Sequence, residues 1–502
     1  MFDLTIAAFA SALTPTTLVL ILAGTFLGVA VGAIPGLSSA IGLAIVLPFT
    51  FVLPPEPAIL MMVAIYMAAQ YGGSITAIVI GVPGTPPAVS TTFDGYPMSQ
   101  RGETARALGI SIVSSTVGGI FGVLILMIAF GPIARFALAF GPAEYFALGL
   151  FGLAIVANMM GESMVKGLIS VVLGLLFFVV GVDVMSGYPR LTFGTTNLLD
   201  GIHIIPTLIG FFAVAEVLRL VGESAPGEVA RKSISGRMVS FSELRGLLPS
   251  MLRGSVIGSV VGAIPGAGAT IASLMAWNEE KRFAKPGERF GAGAAAGISA
   301  PEAANNSSVG AAMIPLLSLG IPGSASTAIL LGGFMLHGIN PGPLLVVDRA
   351  ELVYAIYAGF VVAALFMLCI GLLGIPLWVR LIALPVRLLA PLILGISFIG
   401  AYALNNRVFD VWLTMVFGVL GYLLLRLRIP LVPAILGLVL GFMVEANYRR
   451  ALAISGGDHT VFLTNPISLT LLVLALLSFG VPLVRRVLMG RIDGPPEDPN
   501  TT

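Results

Sequence analysis

Long stretches of this chain carry no charge. Leu4–Pro55, Pro57–Phe93, Ala107–Ala134, Gly254–Asn278, Leu352–Val379 and Thr460–Val484 contain no Asp, Glu, Lys or Arg. Only 10% of the 502 residues are charged, against 57% that are apolar, whereas soluble domains carry about a quarter charged residues. That deficit excludes a soluble multi-domain protein. One helical span needs about 20 apolar residues, so several of these runs must turn inside or at a membrane. A charge at a helix centre costs about 3 kcal/mol on insertion scales, which is why such runs exist only where lipid demands them.

Other residues are scarce too. The one cysteine, Cys369, rules out a disulfide within the chain, and its apolar setting reads as that of a small packed residue. None of the three histidines, His203, His337 and His459, has a metal-binding partner at helical spacing. No Gly-x-Ser-x-Gly elbow and no phosphate-binding Gly-Lys-Ser/Thr loop occurs, which argues against hydrolase chemistry and ATP-driven pumping by this chain. An intramembrane enzyme would lack a credible nucleophile–base pair. The net charge of +2 is too small to suggest nucleic acid. The first residues lack the basic start of a cleaved signal peptide and read as part of the mature protein.

What is abundant is glycine, 61 residues of it, in patterns that repeat. Gly24, Gly28, Gly32, Pro35 and Gly36 recur as Gly254, Gly258, Gly262, Pro265 and Gly266, at an offset of 230. Val31–Gly36 and Val261–Gly266 are identical over six residues. Downstream, Gly81–Thr85 recurs in similar form as Gly320–Ser324, at an offset of 239. The division that follows is repeat 1 at 1–106 (hairpin 17–53, broken helix 57–95), scaffold spans at 107–222 and a cytoplasmic loop at 223–253. Repeat 2 then covers 254–350 (hairpin 254–278, broken helix 291–338), with scaffold spans at 351–486 and a polar tail at 487–502.

Lys and Arg set the orientation. The segments 223–253 and 279–289, with Arg231, Lys232, Arg237, Arg245, Arg253, Lys281, Arg282, Lys285 and Arg289, should be cytoplasmic. Gly254–Asn278 between them then enters and leaves on one side, bent at Pro265-Gly266. Repeat 1 has its basic residues, Arg101 and Arg106, only after the block, so its hairpin opens to the opposite face. The repeats are then inverted in topology. Arg449 and Arg450 fall on the outer side in this arrangement, against the rule.

A Pro-Gly break in lipid frees backbone groups that are tolerated only inside protein or along a cavity. The flanking helix ends offer N–H groups that suit carboxylates, and unwound carbonyls suit Na⁺. Matching broken helices in two repeats point to a midplane transport site. The candidate substrate contacts are therefore Pro35, Gly36, Ser38, Ser39, Gly84 and Thr85 in repeat 1, and Gly266, Gly268, Thr270, Gly323 and Ser324 in repeat 2. Polar patches precede the second break of each block, adding Gly72, Gly73 and Ser74 beside Gln70 and Tyr71, and Asn305, Asn306 and Ser307. Small residues and hydroxyls also serve helix packing in membranes, the competing reading for each of them. Glu302 is the only charged residue between Phe290 and Val347. With Asn306 and Ser308 it is a candidate for cation coupling, unless it sits at the cytoplasmic end in water. No Arg lies in the hairpin tips, so an anion would be held by helix termini and polar side chains, with Na⁺ at the tips as the expected metal.

Gly28–Leu37, its copy around Gly258–Gly268, Tyr71-Gly72-Gly73-Ser74 and Pro301–Asn306 resemble the large membrane subunit (TctA type) of the tripartite tricarboxylate transporter family, over about residues 15 to 440. The resemblance implies a bacterial inner-membrane, multi-pass secondary transporter that imports organic di- or tricarboxylates such as citrate. It implies a small four-span membrane subunit and a periplasmic solute-binding protein as partners, leaves room for a homo-oligomer, and implies Na⁺ or H⁺ as coupling ion with no other cofactor. The expected fold is an all-α polytopic membrane protein of two inverted repeats, an elevator-like transport domain plus scaffold, with a cytoplasmic C-terminus. A passive carboxylate channel is the alternative.

Overall fold

A computed structural model describes residues 10, 13–159, 163–183, 185–223, 236–284, 286–382 and 386–489. Arg231, Lys232, Lys285, the first residues of the chain and the polar tail from residue 490 lie outside them. In chain order the helices are α1 Pro15–Gly32, α2 Ser39–Thr50, α3 Pro55–Ile80, α4 Val89–Gln100, α5 Thr104–Ala137, α6 Pro142–Met159 and α7 Met164–Val179. After a two-stranded ribbon, Gly181–Val182 on Pro189–Arg190, come α8 Ile204–Ile209 and α9 Ala215–Glu223, joined by a π-helical turn. Then follow α10 Phe241–Gly262, α11 Gly268–Glu280, α12 Ala296–Leu319, α13 Ala325–Leu336 and α14 Ala350–Leu373. The last are α15 Ile375–Leu381, α16 Val386–Asn405, α17 Val408–Arg426, α18 Leu431–Ile454 and α19 Pro466–Met489. The chain is an all-α polytopic membrane protein, and eight described helical segments, with α8, the π-helical turn and α9 counted as one, are long and apolar enough to cross a bilayer.

The chain forms two compact units. One comprises residues 1–139 and 202–427, the other 140–201 and 428–502. The second unit holds α6, α7, α18 and α19. In it Arg190 and Arg449 share Asp183 and Glu445, with Arg449 2.7 Å from Asp183 and Arg190 2.8 Å from Glu445. Arg449, the misfit to the orientation rule, is thus held in a group of two bases and two acids.

The first unit is organised by glycine contacts. A Cβ on Gly24, Gly28 or Gly32 of α1 would strike Met61, Ile65 or Ala69 of α3, at 2.5, 2.7 and 2.2 Å from the carbonyl oxygens. Both series rise together, so α1 and α3 run parallel, and α2 between them must run back. The same holds in the second set, where Gly254, Gly258 and Gly262 of α10 meet Ala300, Ala304 and Ser308 of α12. Each pair in one set becomes a pair in the other on adding 230 to the first residue and 239 to the second. The side chains absent from these glycines let backbones touch, the usual basis of close helix packing in lipid.

The two sets are locked through α3 and α12. Ser74 meets Glu302, the backbone of Gln70 meets Asn305, and that of Met67 meets Asn306. One series falls as the other rises, so α3 and α12 cross antiparallel. Residues 296–318 of α12 are all buried, which is how a helix with an acid, two amides and several hydroxyls can lie at membrane depth.

Two expectations need correction and one open reading is decided. Residues 241–253 are helical rather than loop, because Ser240 caps α10 by accepting the Glu243 N–H. Ser250 and Arg253 of this added stretch bond Glu280 at the end of α11 (2.6 Å from Ser250, 2.9 Å from Arg253 Nε), which ties the second hairpin closed. Cys369 is exposed, not packed, on α14. Of the two readings of Glu302, its full burial excludes the solvated helix end.

Candidate functional site

Each break begins where a glycine in the left-handed region ends a helix or turns a tip. Gly81 (φ 75°) and Gly320 (φ 71°) cap α3 and α12, while Gly36 (φ 85°) and Gly266 (φ 88°) turn the hairpin tips. An L side chain pays for that conformation, which glycine adopts freely.

The four breaks touch in a closed chain. A Cβ on Gly84 would stand 2.2 Å from the carbonyl oxygen of Gly32, at the first hairpin tip. Just past Gly84, the Pro87 carbonyl accepts from Ser273 of α11 at 2.8 Å. At the start of that hairpin arm, the Gly266 N–H donates to Gly323 at 2.9 Å. Beyond Gly323, the Ser326 hydroxyl is 2.7 Å from that of Ser39 in α2, which returns the chain to the first tip. The N-terminal ends of α2, α11 and α13 therefore gather with the turn at Pro86–Ala88. Ser324 caps α13 by a reciprocal capping box with Thr327.

The candidates divide by what they touch. Gly73 packs on Thr85, and Gly84 donates its N–H to Gly73 at 3.0 Å, so these three form one backbone contact. Pro35, Gly36, Ser38, Gly268 and Thr270 are partly accessible at the tips. Gly72 lies against Val29 and Gly32 and serves packing. Ser307 and Ser308 turn their hydroxyls to Ala304 and Asn305 of their own helix. Asn305 and Asn306 give their amide N–H groups to the Gln70 and Met67 carbonyls, at 3.3 and 3.2 Å. That fixes each amide and leaves its oxygen buried without a partner, as are Gln70 Oε1, Tyr71 OH and Thr85 Oγ1. Such orphan atoms cost roughly 1–3 kcal/mol each.

Glu302 sits apart from the tips, in a cage of hydroxyls. Ser74 of α3 (2.5 Å) and Thr91 of α4 donate to Oε1, and Ser115 of α5 donates to Oε2 at 2.8 Å. Thr91 and Ser115 were not legible as site residues. Both lie outside the glycine motifs, and Ser115 falls in a stretch that reads as a plain span. Asp94, one turn after Thr91, was also missed, although it is the charge that ends a 37-residue neutral run. It accepts from the N–H groups of Gly291, Gly293 and Ala294 at 2.8, 2.9 and 2.8 Å and from the Trp277 indole at 2.8 Å. Thr91 and Asp94 thereby pin α4 of the first set onto α12 and α11 of the second.

Comparison with known proteins agrees with the motifs. The model of the tripartite tricarboxylate transporter TctA family matches residues 18–436. The chain is 38% identical over 468 residues to an Agrobacterium vitis protein described as the uncharacterized 52.8 kDa protein in the TAR-I ttuC′ 3′ region, covering 93% of each. It is 42% identical over 211 residues to a second Agrobacterium vitis protein, from the TAR-II ttuC′ 3′ region, covering 42% of this chain and 87% of that one. No solved structure matches.

Proposed function

The chain belongs to the tripartite tricarboxylate transporter TctA family, whose members are membrane components of transport systems, and on that premise we propose that it is a cation-coupled carrier importing organic di- or tricarboxylates. The observation that carries this reading is the gathering of three helix N-termini and four backbone breaks into one closed chain of contacts. Helix N-termini favour carboxylates through their free N–H groups and dipoles. Ser38, Ser39, Ser324, Thr270 and Thr85 add hydroxyls without adding charge. The orphan oxygens of Asn305 and Thr85 are further atoms for a ligand or its water.

In this proposal the substrate arrives from a periplasmic binding protein, and a small membrane subunit completes the complex in the bacterial inner membrane. The two sets of helices are inverted repeats that alternate access by an elevator-like movement, and Na⁺ or H⁺ supplies the drive. The test is reconstitution with the two partner subunits and labelled citrate. Accumulation should require the binding protein and an inward Na⁺ or proton gradient, and preloaded unlabelled citrate should speed entry of label. Entry with no such trans-stimulation would mark a channel and overturn the carrier.

A further inference from the structure

We propose that the coupling ion is a proton carried by Glu302, and that Ser74 and Thr91 link its binding to events at the Gly81–Thr85 break; this rests on the carrier reading above. Glu302 is wholly buried, among the described residues no Lys or Arg is paired with it, and the hydroxyls of Ser74, Thr91 and Ser115 hold its carboxylate. All three hydroxyls donate to the carboxylate, so they turn hydrogens inward and not lone pairs. A metal ion needs several oxygen lone pairs converging on it, whereas a proton needs only the carboxylate.

The two donors on Oε1 flank the Gly81–Thr85 break. Ser74 directly follows Gly73, which packs on Thr85, and Thr91 lies in the first turn of α4. A ligand that draws Gly84 and Thr85 towards itself moves both donors. Hydrogen bonds to a carboxylate favour its charged form, and burial without them favours the acid. When Ser74 and Thr91 withdraw, Glu302 takes a proton from the aqueous phase, becoming a neutral carboxylic acid. When they return on ligand release, the proton leaves to water. Ligand and proton therefore bind together, as symport requires, and the coupling is reciprocal.

Other ionisable groups near the cage are few. Tyr71 of α3 is fully buried three residues before Ser74. Asp94 of α4 is held by four N–H donors. The α10–α11 hairpin brings Arg253, paired with Glu280. On α5, Arg106 is paired with Glu103 and Glu243. His337 and Asp348 belong to the segments that follow α12 and pack at its C-terminal end, where the Gly342 N–H donates to Leu317.

The first measurement needs no substrate. Infrared difference spectra of the reconstituted chain across a pH series should show the C=O band of one buried carboxylic acid. Glu302→Gln should abolish the band, and Thr91→Val and Ser74→Ala should shift the pH at which it forms. Glu302→Asp, which keeps the acid, should retain a shifted band. In the complete system, Glu302→Gln should lose at least tenfold of the citrate accumulation driven by a proton gradient at equal Na⁺. A band unchanged in Glu302→Gln, or titrating identically in Thr91→Val and Ser74→Ala, would overturn the proposal. So would accumulation that follows a Na⁺ gradient alone. A wild type with the band but no trans-stimulation would refute the carrier and leave the proton site standing.

Discussion

Asp94 and Asp183 show how single carboxylates act at different depths. Asp94 is buried and takes four N–H donors from two segments. Its removal leaves those donors without acceptors, at roughly 1–3 kcal/mol each. Asp94→Ala should therefore cost at least about 3 kcal/mol, seen as a large fall in the melting temperature of the purified protein. Asp94→Asn retains one acceptor oxygen and should fall between the two. Asp183 lies in the loop after α7, where the hydrogen bond from Arg449 and then the Met185 N–H hold its carboxyl well below the usual range. A carboxyl lowered in the folded state stabilises it above the unfolded pKa of about 3.9, and that stabilisation is lost as pH falls through the folded value. Arg449→Ala should then show a constant deficit in melting temperature from pH 7 to pH 5, shrinking below about pH 4.

Among elements, the glycine ridges of α1 and α10 decide how closely the central helices approach. A Cβ on Gly258 would lie 2.2 Å from the Ala304 carbonyl oxygen and 2.1 Å from Ser307 Oγ. The neighbour is backbone and cannot step aside, so Gly258→Val must part α10 from α12. Overpacking of this kind costs about 1–3 kcal/mol or more. The expected result is a lower melting temperature and less monodisperse protein, whereas Gly395→Ala, with nothing within 4 Å of the added carbon, should behave as wild type. The spacing of these glycines and its recurrence at an offset of 230 were legible in the sequence, but the helices they pack on were not. Nor was the length of α10. Its first thirteen residues hold charges that read as loop, and their partners Glu280 and Arg106 lie on other helices.

For the whole molecule, the basic ends of the first unit share one face. Arg101 donates to the carbonyls of Ala292 and Gly293, and Arg106 bonds Glu243 at the start of α10. Because α3 and α12 are antiparallel, the loop before α3 lies at the other face. In a Cys369→Ala background, cysteines at Arg101 and Asn278 should be labelled only from the cytoplasm, and one at Val52, 83% exposed, only from outside. Labelling of all three from one side would refute this orientation.

The sequence by itself determined the membrane class, the four breaks and the recurrence of the α1 glycines in α10. Those features are written as charge-free runs and small-residue spacings, which act locally and repeat. Only the tertiary structure decided what surrounds Glu302. Its donors come from positions 228, 211 and 187 residues away along the chain. They meet because two polar helices can be buried in lipid only by crossing within a shell of others, and that crossing, not any local pattern, selects which hydroxyls face the acid.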